Sequence, residues 1–213
     1  MKIITIPVTP FAQNCRIIAC ESTQEAIVVD PGGDSDKIIA TLTSNSLTLK
    51  AVWLTHGHLD HVGAADVLRR QFDIKIIGPH KDERFWFDNL PMQAQMFGFP
   101  PIDPFYPDEW LSHGDTLSLG KLKFDVMHCP GHTPGHIVFY EQDNKCVIVG
   151  DVIFKGSVGR TDFPQGNSQQ LLESIKAHIL TLPVKTAILS GHGSETTVEH
   201  EIKTNPFVSG QYG

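Results

Sequence analysis

THGHLDH, residues 55–61, is the stretch that decides how this chain is interpreted. It follows a short apolar run at 51–55 and precedes a segment at 62–70 whose apolar residues have helical spacing. In an extended chain the side chains of His56 and His58 project to the same side. The aspartate and the third histidine stand two and three residues further on, at the turn into the helix. This spacing predicts two metal ions side by side rather than one.

Three more ligand candidates each follow an apolar, strand-like run. His132 lies in the loop CPGHTPGH, Asp151 ends the run VIVGD, and His192 lies in SGHG. Loops at strand ends commonly converge on binding sites, so we expect these side chains to complete the metal site. Imidazoles and carboxylates together suit Zn²⁺, with Fe or Mn as alternatives, and Asp151 is the candidate to bridge two ions. The other six histidines are predicted to be surface, strand or supporting residues: His80, His113, His128, His136, His178 and His200.

Composition excludes several function classes. The chain has 213 residues, of which 40% are hydrophobic, and this length can form a core without disulfides. Its net charge of −7 gives no support for binding nucleic acid or an anionic membrane. No apolar run reaches the roughly 18 residues of a membrane span, and no signal peptide is recognisable. The four cysteines form no C-x-x-C pair, which favours a reducing compartment, so we predict a cytoplasmic protein.

The strand-like segments occur in two groups, and helical patterns follow each group. Strands are predicted near 2–8, 15–20, 26–30, 51–55 and 74–78 in the first group, and near 116–119, 121–129, 136–141 and 145–151 in the second. A further strand is predicted at 186–190, and helices near 34–45, 168–180 and 196–203. Two β-sheets flanked by helices are therefore expected, in an α/β fold.

At these residues the sequence resembles the metallo-β-lactamase fold superfamily, whose hallmark is H-x-H-x-D-H followed by distant His, Asp and His. Within it, the strings THGHLDHVGA, CPGHTPGH, GDVIFKGSVGRTDFPQG and SGHG are similar to short, single-domain bacterial glyoxalase II (hydroxyacylglutathione hydrolase)-like proteins. The resemblance implies a four-layer αβ/βα sandwich in one catalytic domain over 1–213. It also implies a ligand set for two divalent metal ions: His56, His58 and His132 for one, Asp60, His61 and His192 for the other, with Asp151 bridging.

The resemblance implies a metal-dependent hydrolase acting on a small-molecule thioester, either S-D-lactoylglutathione or a related small acyl thioester. Asp60 would orient the attacking hydroxide in addition to binding metal, and Arg160 would contact substrate. Full-length glyoxalase II carries a C-terminal helical domain, and a tyrosine where Asp162 stands here, so recognition of glutathione itself stays open. The alternatives are a mononuclear iron persulfide dioxygenase and a hydrolase of another small ester or lactone. True β-lactamases of the superfamily lack an aspartate at the position of Asp151, which argues against antibiotic hydrolysis.

Overall fold

The computed structural model describes residues 1–209. They form two compact units: unit 1 comprises Met1–Leu111 and Ser118–Leu122, and unit 2 comprises Ser112–Leu117 and the residues from Lys123 onward. The prediction of one catalytic domain over 1–213 extends to residues outside the described range and stays a prediction. Among the residues that the structure describes, no helix has both the length and the apolar character needed to cross a bilayer.

The first sheet has five strands in the spatial order of the chain, β1-β2-β3-β4-β5. The pairs β1/β2 and β2/β3 are antiparallel, whereas β3/β4 and β4/β5 are parallel. The strands are β1 (Lys2–Val8), β2 (Gln13–Cys20), β3 (Glu25–Val29), β4 (Thr48–Trp53) and β5 (Lys75–Ile77). The helices of unit 1 are α1 (Ser35–Ser44), α2 (Leu59–Val62), α3 (Ala65–Phe72), α4 (Arg84–Asp88) and α5 (Leu90–Phe97), with a 3₁₀ turn at Lys81–Glu83.

The second sheet has six strands in the order β13-β12-β9-β8-β7-β6. The pair β12/β9 is parallel, and the pairs β13/β12, β9/β8 and β8/β7 are antiparallel. The strands are β6 (Thr116–Leu119), β7 (Leu122–His128), β8 (Ile137–Glu141), β9 (Cys146–Gly150), β12 (Ala187–Ser190) and β13 (Thr196–Thr197). A separate hairpin pairs β10 (Ile153–Phe154) with β11 (Ser157–Val158). Two helices complete unit 2, α6 (Ser168–Ser174) and α7 (Val198–Thr204), and a π-helical turn at Ile175–Ile179 follows α6.

The predicted α/β class is confirmed, and the apolar runs explain where the strands lie. Every residue of β2, β8 and β9 is buried, as expected of strands covered on both faces. Each unit has its own hydrophobic cluster of buried side chains. The side chains of the four cysteines are buried.

Two predictions about helices need correction. The segment predicted as one helix at 62–70 is divided into α2 and α3 at Gly63–Ala64. The sequence of 81–99 predicts a helix that is broken by Pro91. The break comes at Asn89 instead, and Pro91 stands in the first turn of α5, where its missing N–H costs no hydrogen bond. The region therefore contains two short helices, and the second matters for the site because its Gln93 hydrogen-bonds the histidine loop.

Candidate metal centre

Unit 1 brings together the four ligand candidates of the THGHLDH loop, which runs from the end of β4 into α2. The Nε2 atom of His56 lies 3.1 Å from Nδ1 of His58, and the rings of His56 and His61 are 4.2 Å apart at their centroids. The Nε2 atom of His61 lies 3.8 Å from Oδ2 of Asp60. All three imidazoles are buried, whereas the Asp60 side chain keeps 16% of its surface exposed. The prediction that these side chains converge is consistent with this geometry.

A buried aspartate at the end of β3 organises two of these imidazoles. The Thr55 hydroxyl lies 2.7 Å from Oδ2 of Asp30 and 2.9 Å from Nδ1 of His56. The same Oδ2 lies 3.0 Å from Nδ1 of His61, and Oδ1 accepts the backbone N–H of Thr55 at 2.8 Å. Since the carboxylate only accepts, the hydroxyl donates to Asp30 and accepts from His56. Both imidazoles then carry their proton on Nδ1, which leaves each Nε2 with a lone pair for a metal.

The backbone of the histidine loop is held by two buried polar side chains of the same unit. Glu83 accepts the N–H of Gly57 at 2.8 Å. Gln93 accepts the N–H of Leu59 at 2.8 Å and donates to the carbonyl oxygen of Gly57 at 3.3 Å. A Cβ on Gly57 would lie 2.7 Å from Cβ of Trp86, so only glycine lets the helices approach the loop this closely. Hydrogen bonds and packing within unit 1 thus fix the backbone of the loop.

Unit 2 brings together the other three ligand candidates, each at the carboxyl end of a strand. Oδ2 of Asp151, just after β9, lies 3.8 Å from Nε2 of His132 and 3.7 Å from Nε2 of His192. One carboxylate oxygen therefore stands between two imidazole nitrogens. His132 and Asp151 are buried, and the His192 side chain is 27% exposed.

Two hydrogen bonds orient these ligands within unit 2. Nδ1 of His132 lies 2.6 Å from the carbonyl oxygen of Arg160, so it carries the proton and leaves Nε2 for a metal. Nε2 of His136 accepts the backbone N–H of Asp151 at 3.1 Å, in agreement with the supporting role predicted for His136. A Cβ on Gly159 would lie 1.9 Å from the carbonyl oxygen of Asp151, so this close approach requires glycine.

The side chain of Arg160, the predicted substrate contact, is engaged by its neighbours. Its Nε and Nη2 donate to the two carboxylate oxygens of Asp162 at 3.0 and 2.8 Å, and its guanidinium lies 4.6 Å above the ring of Phe163. This pairing lowers the pKa of Asp162 and raises that of Arg160. The Phe163 ring in turn meets the imidazole of His132 edge to face, 5.6 Å between centroids. The bidentate edge of the guanidinium thus already holds a carboxylate.

The donor sets fit divalent metal ions. Gaps of 3.7–3.8 Å between imidazole nitrogen and carboxylate oxygen are too long for hydrogen bonds, yet within the roughly 4.2 Å spanned by one Zn–N and one Zn–O bond. The imidazoles of His56, His61 and His132 each have their other nitrogen occupied by an oxygen partner. Metal-binding histidines almost always show this arrangement.

Sequence reasoning missed the supporting residues. The sequence places Asp30 only at the end of the strand predicted near 26–30, and it assigns no role to Thr55 within the stretch 55–61. Glu83 and Gln93 lie on short helices far along the chain, so spacing could not connect them with the loop. The one available signal was a polar residue directly after a buried apolar strand, which Asp30 shares with Asp151.

Comparison with known proteins agrees with this site. The family model described as the metallo-beta-lactamase superfamily matches residues 8–192. This chain belongs to that superfamily. It is 46% identical over 210 residues to hydroxyacylglutathione hydrolase GloC of Haemophilus influenzae, covering 98% of this chain and 99% of the relative. The structure also resembles that of BLEG-1 B3 metallo-beta-lactamase, with a TM-score of 0.90, 38% identity and coverage of 98% and 100% of the two chains.

A third relative bears on the metal. The crystal structure of TTHA1623 in a di-iron-bound form matches with a TM-score of 0.87 and 33% identity, covering 96% of this chain and 99% of that one. The predicted metallo-β-lactamase fold is confirmed, as an α/β fold with two mixed sheets and flanking helices. The histidine and aspartate clusters of this chain are of the kind that could hold metal ions.

Proposed function

We propose that this superfamily member is a binuclear metal-dependent hydrolase that cleaves small-molecule thioesters, of the hydroxyacylglutathione hydrolase type. The proposed ligands are those that the family resemblance implies: His56, His58 and His132 for one ion, Asp60, His61 and His192 for the other, and Asp151 for both. Zinc is the first choice for both ions, with iron or manganese as alternatives.

The observation that carries the proposal is the position of the Asp151 carboxylate. Its Oδ2 stands between the Nε2 atoms of His132 and His192, at 3.8 and 3.7 Å. In the proposed ligand set each of these histidines would serve a different ion and the carboxylate would serve both, whereas around a single ion the same three side chains would form the two-histidine, one-carboxylate set of the mononuclear alternative. The number of ions bound per chain therefore decides between the two. The 46% identity to a protein named hydroxyacylglutathione hydrolase supports the thioester as substrate.

When bound by these residues, divalent ions would supply hydroxide at neutral pH and would polarise a carbonyl group for attack. The protein's contribution is orientation. Asp30 and Thr55 hold the tautomers of His56 and His61, and the partly exposed Asp60 offers an oxygen to orient the nucleophile. A free thiol has a pKa near 8.5, so the thiolate leaves readily and no general acid is assigned.

Arg160 is the proposed contact for an anionic group of the substrate. A guanidinium suits a carboxylate, and Asp162 shows that this one can hold a carboxylate in bidentate fashion. If a substrate carboxylate displaces Asp162, Arg160→Ala will raise KM for a carboxylate-bearing thioester well before it lowers kcat. An unchanged KM would restrict Arg160 to holding Asp162 and Phe163.

The proposal is tested with Asp151→Asn, which keeps the size of the side chain and removes its charge. We expect the metal content to fall from two ions per chain to one or fewer, and kcat/KM for an acyl thioester to fall by about 100-fold or more. Asp143→Asn, an exposed turn residue of the same unit, makes the same charge change and serves as the matched control. Full thioesterase activity in Asp151→Asn would refute the proposal.

Two alternatives are separated by metal content and substrate panel. A mononuclear iron persulfide dioxygenase would hold one iron per chain and consume O₂ with a persulfide. A hydrolase of other small esters or lactones would hold two ions and prefer those substrates over thioesters. Because one structural relative is a B3 metallo-beta-lactamase, a β-lactam belongs in the panel, and we expect little turnover of it.

A further inference from the structure

The short hairpin of β10 and β11 is connected to every ligand candidate of unit 2. Its first strand begins two residues after Asp151 and carries Phe154, whose ring centroid lies 6.3 Å from that of the His192 imidazole. Two residues after its second strand, the carbonyl oxygen of Arg160 accepts Nδ1–H of His132 at 2.6 Å. The position of the hairpin therefore affects the orientation of all three ligand candidates in this unit.

The hairpin is too short to fix its own position. Each of its strands contributes two residues, and an isolated two-stranded hairpin is at best marginally stable in water. Side chains from other elements of unit 2 hold it instead. Ser190, at the end of β12, donates its hydroxyl to the carbonyl oxygen of Ile153 at 2.7 Å. The turn of the hairpin, residues 155 and 156, is held from α7.

Glu201 of α7 is a buried carboxylate, 0% exposed, that accepts a hydrogen bond from this turn. Oε2 accepts the backbone N–H of Gly156 at 2.9 Å and an amide N–H of Asn205 at 2.8 Å, and Oε1 accepts the hydroxyl of Thr196 at 2.5 Å. The amide nitrogen of Asn205, which is also buried, donates to the carbonyl oxygen of Ser157 at 3.0 Å. Glu201 and Asn205 thus hold the backbone of two consecutive residues where the hairpin turns.

A carboxylate in this environment indicates a role in position rather than in stability. Its three donors are a backbone amide, a side-chain amide and a hydroxyl, all of them neutral. Burying a charge costs free energy even when it is hydrogen-bonded, and an apolar side chain of similar size often stabilises a fold as well or better. An apolar side chain would, however, leave the turn without an acceptor, so the carboxylate fixes where the hairpin lies.

We propose that Glu201 is a positioning residue for the metal ligands of unit 2. It fixes the turn of the hairpin, and the hairpin holds the Arg160 carbonyl against His132 and the Phe154 ring against His192. This inference rests on the proposed function for the identity of the ligands and is independent of the substrate.

The test compares Zn²⁺ dissociation constants of full-length variants by competition with a chromophoric chelator. Glu201→Ala removes both acceptors, and metal affinity should fall about 10-fold, the lower end of the range for residues that orient ligands. Glu201→Gln keeps one oxygen for Gly156 and Asn205, and the Thr196 hydroxyl can turn to accept from its NH₂ group. Its affinity should therefore stay within about twofold of wild type.

Glu141→Ala is the matched control. Glu141 is also a buried carboxylate of unit 2, and it accepts the backbone N–H and the side-chain amide of Asn144 at 2.6 and 2.9 Å. It pairs with Cys146 at the opposite end of β9 from Asp151, about 16 Å along the strand. Its removal should lower the melting temperature, as Glu201→Ala does, but leave Zn²⁺ affinity at the wild-type value.

The absorption spectrum of the Co²⁺-loaded proteins is a second measurement, because its d–d bands report coordination geometry rather than stability. The bands should change in Glu201→Ala and stay as in wild type in Glu201→Gln and Glu141→Ala. If Glu201→Ala does not fold, Asn205→Ala takes its place, with Asn144→Ala as its control. It removes the hydrogen bond to Ser157 and one of those to Glu201, and about a threefold loss of affinity is expected.

Three results would overturn the positioning role: wild-type affinity with an unchanged spectrum in Glu201→Ala, an equal loss in Glu201→Gln, or an equal loss in the Glu141→Ala control. If thioesters are hydrolysed but all variants bind metal alike, the proposed function stands and the positioning role fails. If no thioester is hydrolysed but the affinities follow the expected order, the positioning role stands and the proposed thioesterase activity fails.

Discussion

Asp30→Asn is the substitution that tests most directly whether the orientation of the imidazoles sets metal affinity. Asp30 has a left-handed backbone, with φ of 50°, and asparagine tolerates this conformation nearly as well as aspartate. The variant therefore keeps shape and backbone and changes only charge and hydrogen bonding. In the wild type, Oδ1 accepts from the Thr55 N–H, and Oδ2 accepts from the Thr55 hydroxyl and from Nδ1 of His61.

An asparagine amide cannot satisfy this pattern in either orientation. If the NH₂ group takes the place of Oδ1, it faces the N–H of Thr55. If it takes the place of Oδ2, it faces the Nδ1–H of His61. In both orientations two donors meet. One hydrogen bond to a charged group is lost in each case, which costs about 1.5–3 kcal/mol. If that cost falls on the metal-bound state, the dissociation constant for metal rises about 10- to 100-fold.

The assay is competition for Zn²⁺ against a chromophoric chelator at constant pH, with thermal unfolding of the metal-free protein measured in parallel. Asp36→Asn, an exposed residue in the first turn of α1, makes the same charge change away from the loop and should bind metal like the wild type. Metal affinity equal to wild type in Asp30→Asn would show that this carboxylate does not position the ligands. A lower melting temperature with unchanged affinity would restrict Asp30 to a structural role.

Three further outcomes are expected. A Cβ on Gly131 would lie 2.3 Å from the backbone nitrogen of Leu171, at a φ of 134°. Gly131→Ala should therefore destabilise the protein by at least about 1–3 kcal/mol more than Gly156→Ala, which meets open space at a φ of 73°, and chemical denaturation measures the difference. Burial, and to a smaller extent the neighbouring imidazoles of His113 and His128, lowers the pKa of His178 in the folded state. The unfolded state therefore binds the proton more tightly, and stability is lost as the pH falls from about 6.5 towards the lower folded pKa. His178→Gln should therefore lose less stability than wild type between about pH 7 and 5.5, which denaturation at each pH measures. Chelation of a metal present at 100 times its dissociation constant should lower the melting temperature by about 5–11 °C while the protein stays folded, as calorimetry will show.

The strands could be predicted from the sequence because they are runs of β-branched and apolar residues, buried throughout in β8 and β9 and only in part in β1. The runs that became β1, β8, β9 and β12 are bounded within one or two residues of the observed ends, since β-branched and apolar residues stop where the chain leaves the sheet. The position at which segment 81–99 divides into two helices could not be predicted. A proline that interrupts a helix and a proline in the first turn of a new helix give the same sequence pattern.

The ligand candidates could be predicted because metal chemistry accepts few residue types, and the spacing in 55–61 is distinctive. The residues that support these ligands could not be predicted, since Nδ1–H can donate to any oxygen that the fold places nearby. Asp30 arrives by parallel pairing of β3 with β4, and the partner of His132 is a backbone carbonyl, that of Arg160, which no sequence pattern identifies. Register, rather than residue type, decides these contacts.

The proposed metal ligands and the proposed substrate contact differ in how strongly the fold constrains them. The ligands sit on strand ends, and their orientation is fixed by buried hydrogen bonds, so the capacity to hold metal is set by the most constrained part of each unit. The proposed substrate contact, Arg160, and its partner Asp162 are exposed in a loop instead. Substitutions there cost little stability, because exposed side chains bury little surface on folding. A substitution at such an exposed position can therefore change substrate binding without disturbing the proposed metal ligands, and the KM of Arg160→Ala measures this directly.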